Sequence, residues 1–193
     1  MARPAEFDRD EVLDRAMRAF WDDGYCATSM ATLTETTELK PGSLYAAFKS
    51  KEGLFLAALD HYTAQSVERI RQALGSADTP LAGIRAFFRR LAVEALEPEA
   101  KRSCFLINTV LEVARRNPHV RERASQHLDR VEALFRQALE VARDRGDLAP
   151  DHDPTALAAF LVTSLSGLRV ILAAGAEPQR VRAVVEQVLR ALG

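Results

Sequence analysis

The chain has 193 residues, 48% of them hydrophobic, and a formal net charge of −1, so it can bury a core in one domain or two small ones. The near-balanced charge excludes a generally basic, histone-like protein but leaves room for a local basic patch. Two cysteines, Cys26 and Cys104, are too few for a disulfide scaffold and match no zinc or redox spacing, so a reducing, cytoplasmic setting is expected.

The opening MARPAEFDRDE turns acidic at once and lacks an apolar core, so no secretory signal is expected. Asp8 with Glu11 three residues later is a capping-box pattern for a first helix carrying Leu13, Ala16, Met17 and Phe20 and ending at Gly24. A short helix is expected from Thr28, then a break around 37–39, then a third short helix holding Leu44 and Phe48. Ser50 caps a long helix over about 51–74, and Thr79-Pro80 opens one reaching about Leu96. After Pro98 a helix covers about 100–116. Asn117-Pro118 opens one ended by Gly146, Asp153-Pro154 one ended by Gly175, and Glu177-Pro178 the last. No segment alternates with period 2, so the chain reads as all-α, about nine helices without strands. Three short helices followed by six longer ones divide it into a small unit, residues 1–50, and a larger body, residues 51–193.

Residues 156–176 have the length of a bilayer span. Arg169 lies inside that stretch, however, with Thr163, Ser164 and Ser166 nearby, and a charge at mid-membrane costs about 2.5–3.5 kcal/mol even on the mildest scale. A fully buried helix, and no membrane partner, is expected.

The stretch LKPGSLYAAFKSKEGLF, residues 39–55, sets a short helix among three lysines. With Leu44 and Phe48 turned inward at i, i+4, Gly42 and Ala46 point most directly outward, flanked by Ser43 and Tyr45. Such a small, half-polar face can approach another surface closely, and the preceding helix stands at helix-turn-helix spacing. A DNA major groove admits one such helix. Lys40, Ser43 and Ala46 are placed to read bases and Tyr45 to bond a phosphate. Lys51 lies at a helix N-terminus, where free N–H groups favour an anion, and Thr28 and Ser29 hold the same kind of position one helix earlier. Pro41, Gly42 and Lys49 complete the candidate set.

The pattern Phe20, Gly24-Tyr25, Thr28-Ser29-Met30, Pro41-Gly42-Ser43-Leu44-Tyr45, Phe48, Ser50-Lys51-Glu52, Leu54-Phe55 closely resembles the TetR family of one-component bacterial transcriptional repressors. The resemblance implies an all-α homodimer with an N-terminal domain for operator DNA and a C-terminal domain for a small-molecule effector and for dimerisation. No cofactor is implied. Two departures stand out: Glu38 occupies a turn position that is usually glycine in the family, and Lys40 one that often carries a capping serine or threonine. Residues 1–52 hold ten acidic and seven basic side chains, net −3, against the usual basic balance of a DNA-binding domain. Most of those acids lie in the first helix, whereas the lysines cluster at the third.

For the effector, Cys104, Asn108, Leu111 and Glu112 share a helical face by their 4-3-1 spacing, with Phe87, Phe88 and Leu91 on the preceding helix and Leu165 and Arg169 on the apolar one. The segment SCFLINTVLE looks like one found in a TetR subgroup that includes cysteine-based electrophile sensors. A thiol-based sensor using Cys104 is therefore one alternative, and a packed free cysteine is the plainer reading. Arg169 is a candidate to bind an anionic ligand or to pair with a glutamate such as Glu112, and a structural ion pair is the expected use. For the dimer, Leu157, Phe160, Leu161 and Leu172 leave their helix apolar over most of its circumference, and Val181, Val185 and Val188 stripe the last one, so that two helices from each subunit would form a four-helix interface.

An enzyme is not expected. The histidines are scattered, His119 and His127 lie roughly 12 Å apart along one helix, too far for a shared metal, and no nucleophile elbow or phosphate loop occurs. A helical protein-interaction module is the other alternative.

Overall fold

The computed structural model describes residues 7–97 and 104–193; the expected break at Pro98 and helix start at Ala100 lie outside them. The described residues form helices and no strands: α1 (Arg9–Ala27), α2 (Met30–Thr37), α3 (Pro41–Phe48), α4 (Lys51–Gly75), α5 (Pro80–Glu94), α6 (Phe105–Thr109), α7 (Pro118–Asp144), α8 (Pro154–Ala173) and α9 (Pro178–Arg190). A π-helical turn, Val110–Ala114, continues α6.

The helices begin where capping chemistry places them. The Asp8 carboxylate accepts the Asp10 and Glu11 N–H groups, while Glu11 turns to Arg15 at 2.7 Å. Ser50 Oγ accepts from Gly53 N–H at the start of α4, Thr79 Oγ1 from Ala82 N–H at α5, and Asn117 Oδ1 from His119 and Val120 N–H at α7. Each fills a donor that a first helical turn leaves free. At the other end of α7, Gly146 takes φ 79 and Asp147 N–H reaches back to the Ala142 carbonyl at 2.9 Å, a left-handed glycine stop.

Two compact units result: Met1–Gln65 with Asn108–Ala124, and Ser66–Ile107 with Ser125–Gly193. The expected division at residue 50 falls inside the first of these, because the first half of α4 buries Leu54, Phe55, Ala58, Leu59 and Tyr62. Phe55 stacks edge-on against Phe20 of α1 at 5.0 Å, as Tyr62 does against Trp21 at 5.4 Å. The segment 108–124 is bonded into the same unit through Asn117 Nδ2 to Glu52 (2.7 Å) and Arg123 to Asp60 (2.9 Å).

In the second unit Phe88 of α5 and Phe135 of α7 are fully buried, with ring centroids 6.0 Å apart, in a core shared by α8 and α9. The expected burial of α8 is only partial. Ala158, Leu161, Val162, Leu168 and Leu172 are core, but Phe160 and Val170 each remain 42% exposed. In length and apolarity α8 would pass for a membrane span; in the structure it is a core helix with one apolar face open.

His127 on α7 is buried, and among the described residues its Nδ1 has no hydrogen-bond partner. Burial, helped by the charge of Arg130, lowers its pKa to about 4. The unfolded chain therefore takes up this proton first as the pH falls below about 6.5, and stability is lost between there and about pH 4. In His127→Leu that loss should shrink by roughly 2 kcal/mol, read from urea midpoints at pH 7 and pH 4.5.

Candidate nucleic-acid interface

α3 has eight residues, too few to hold a helix in isolation. Leu44 and Phe48 are 1% and 5% exposed, and their burial fixes the helix on its neighbours. The opposite face is open: Pro41, Gly42, Ser43, Tyr45 and Ala46 are all exposed, with Tyr45 at 48%. Lys40 takes the N-cap position without a side-chain cap bond, and Pro41 follows at the first helical position, where its missing N–H costs nothing. Among the described residues, nothing beyond its chain neighbours and its own helix backbone lies within 4 Å of where a Gly42 Cβ would stand.

Two left-handed residues frame this helix. Glu38 ends α2 at φ 57, ψ 19, the conformation a turn glycine would adopt, and its carboxylate lies 2.8 Å from Arg15 of α1. Together with Glu11 it raises the Arg15 pKa. Lys49 ends α3 at φ 69, ψ −38. Ser50 N–H donates to the Phe48 carbonyl at 2.8 Å, closing a γ-turn, and Lys49 Nζ caps the Ala46 carbonyl at 2.9 Å.

The candidate residues divide accordingly. Ser29, Lys40, Pro41, Gly42, Ser43, Tyr45, Ala46 and Lys49 are exposed around α3 and the start of α2. Ser29 rather than Thr28 is the N-cap of α2, its Oγ accepting Thr32 N–H. Thr28 is corrected as a DNA-facing side chain. It is 1% exposed, and its hydroxyl donates to the Gly24 carbonyl at 2.6 Å, because the break after Gly24 turns it back onto α1. Lys51 is half-buried, with Nζ 4.6 Å over the Tyr25 ring and 3.4 Å from the Cys26 carbonyl.

The effector candidates divide between the two units. Asn108 and Leu111 belong to the first unit; Phe87, Leu91, Cys104, Leu165 and Arg169 belong to the second. Leu111 is 72% exposed, so its assignment to a buried pocket face is corrected. The α-helical phase that aligned it with Cys104 ends at Thr109, where the π-turn begins. Leu91 is packed in the core with Phe87 and Leu165 against it, and Cys104 is half-buried. Arg169 pairs with Glu94 at 3.6 Å rather than with Glu112. An open depression in the second unit is lined by Arg71, Leu74, Pro80, Leu134, Gln137 and Val141, none of them a candidate. The dimer set also needs correction: Leu161, Leu172, Val181, Val185 and Val188 are at most 3% exposed within the chain's own core. The open apolar residues are Phe160 and Val170, with Leu157 half-buried.

Sequence reasoning set Glu112 on the effector face and offered it as a partner for Arg169, and so missed its actual contact. Its carboxylate accepts the backbone N–H groups of Tyr25 (3.0 Å) and Cys26 (2.8 Å), a contact across more than eighty residues that no local pattern announces.

Residues 12–58 match the family model "Bacterial regulatory proteins, tetR family", and residues 80–188 match "Tetracyclin repressor-like, C-terminal domain". The HTH-type transcriptional repressor ComR of Escherichia coli (strain K12) is 32% identical over 97% of this chain and 90% of its own length. The uncharacterized HTH-type transcriptional regulator YezE of Bacillus subtilis is 29% identical over all of both chains. Among solved structures, a cysteine mutant of the TetR family transcriptional regulator CifR, complexed with double-strand operator DNA, superimposes with a TM-score of 0.85 at 39% identity, covering 99% of this chain and 100% of that one.

The strain at Glu38 can be measured directly. Both Glu38→Gly and Glu38→Ala lose the Arg15 partner, but only glycine relieves about 1 kcal/mol of left-handed strain. Urea unfolding should rank glycine above alanine by about that amount.

Proposed function

The chain belongs to the TetR family of bacterial transcriptional regulators, and from that premise we propose that it binds a near-palindromic operator as a homodimer through α3 and releases it when a small-molecule effector binds. The observation that carries this reading is α3 itself: Leu44 and Phe48 anchored inward, and a small, exposed face of Gly42, Ser43, Tyr45 and Ala46 turned outward. That face fits a major groove, where Lys40 and Ser43 would meet base edges and the Ala46 methyl a thymine methyl. Tyr45 and Ser29 would bond phosphates and fix the register, with Lys49 adding charge. Lys51 would reach a phosphate by leaving the Cys26 carbonyl. Support comes from the relatives, one named a repressor and one solved on operator DNA.

Two half-sites would be read together, with centres roughly 34–36 Å or a multiple apart. The open face of α8, with Phe160 and Val170, supports pairing with a second copy. Effector action follows from linkage: a ligand favouring a second-unit conformation whose paired α3 helices are badly spaced weakens DNA binding in proportion to that preference. α4 runs through both units, as α6 and α7 do, and it is the one of the three that starts directly after α3. In this reading the chain is a regulator rather than an enzyme, and it works in the cytoplasm, where the chromosome is.

Selection from a randomised duplex pool, followed by anisotropy titration at two salt concentrations, tests the reading. Wild type should enrich a near-palindrome with steep salt dependence, and Tyr45→Ala should bind it about tenfold or more weakly. No enrichment and no salt effect would sink it. In sedimentation, Phe160→Glu should move the protein from dimer toward monomer, since it places a charge in an apolar interface.

A further inference from the structure

We propose that Glu112 is a positioning residue for DNA recognition: its carboxylate clamps the junction between α1 and α2, and so sets how α2 and α3 are presented to the duplex. The proposal rests on the DNA-binding reading above. The clamp is bidentate, one carboxylate oxygen to Tyr25 N–H at 3.0 Å and the other to Cys26 N–H at 2.8 Å. Gly24 makes it possible in two ways. Its φ 81, ψ 162 lies in a region essentially reserved for glycine and breaks α1 just before the two amides. A Cβ there would also stand 2.9 Å from Glu112 Oε2, so only a glycine leaves the carboxylate its place.

The clamped residues lead straight into the reading head. Thr28 N–H and Oγ1 both close onto the Gly24 carbonyl at 3.2 and 2.6 Å, and the next residue, Ser29, caps α2. Lys51 Nζ holds the Cys26 carbonyl from the start of α4. The junction is therefore tied from α4 through a carbonyl and from residues 108–124 through two amides. Charged acceptors make stronger amide bonds than neutral ones, and Glu112 supplies both on that side. The turn that carries it is π-helical, a conformation that persists mainly where something else holds it and recurs at functional sites. It continues α6 directly, so a change of register in that helix would withdraw the carboxylate from the junction.

The sign of the effect separates positioning from plain electrostatics. Removing a negative charge close to a DNA-binding surface should by itself tighten binding to a polyanion. Loss of the clamp should weaken it. The test compares full-length wild type, Glu112→Gln and Glu112→Ala, with two readouts: affinity for the duplex that wild type enriches from a randomised pool, and amide hydrogen exchange without DNA. Exchange at Tyr25 and Cys26 should accelerate at least about tenfold in Glu112→Ala, with Ala16 and Met17 in the α1 core unchanged. Affinity should fall about tenfold, with the salt slope preserved because no phosphate contact is lost. Gln, which offers one acceptor oxygen, should lie between. Unaltered exchange at residues 25–26, acceleration spread equally over the α1 core, or unchanged or tighter DNA binding would each overturn the proposal. If wild type enriches no duplex, the DNA-binding reading fails and the positioning role with it, while the exchange data still report whether the clamp exists.

Discussion

An eight-residue helix cannot hold its shape in water, and the first unit is organised around that constraint. α3 exists because Leu44 and Phe48 are buried; its other face is free for function because those two residues carry the anchoring. The tight turns on either side of α3 take left-handed backbone, which falls on Glu38 and Lys49, neither of them glycine. Each offsets part of its strain through its side chain, Glu38 with Arg15 and Lys49 with the Ala46 carbonyl. The residues that bend the chain around α3 therefore also fasten it.

Charge follows the same geometry. A surplus of acids over the first 52 residues would repel DNA if it were spread evenly. In the structure many of those acids have partners: Glu11 and Glu38 share Arg15, Asp14 bonds His61, and Glu52 takes Asn117. Around α3, Lys40 and Lys49 stand exposed. What a duplex would meet at α3 is set by the charges nearest it rather than by the sum over residues.

The second unit shows how one apolar helix can serve two purposes. α8 contributes five residues to the core while leaving Phe160 and Val170 open. A membrane would cover that face, but so would a second copy, and only the latter accommodates Arg169 in its pair with Glu94.

Much of this was legible in the sequence because it depends on neighbours in the chain. Helix starts follow from a capping side chain beside a proline or an apolar run, as at Asp8, Thr79, Asn117 and Asp153. The inward pair Leu44 and Phe48 follows from a helical period, while the left-handed turn at Glu38 was implied by the family resemblance, in which that position is usually glycine. What the sequence left open depends on long-range partners. Thr28 looked like a phosphate contact until the break at Gly24 turned it inward. Leu161, Leu172 and the α9 valines looked like interface until the chain's own core took them. The α-helical phase that grouped Leu111 with Cys104 was lost at a π-turn. Glu112 reaches backbone amides on the far side of its unit. Local propensity determines which residues form a helix and which stripe is apolar. Which surface covers that stripe, and which distant amide a carboxylate finds, is decided only when the segments are packed, because those energies belong to pairs that no sequence window contains.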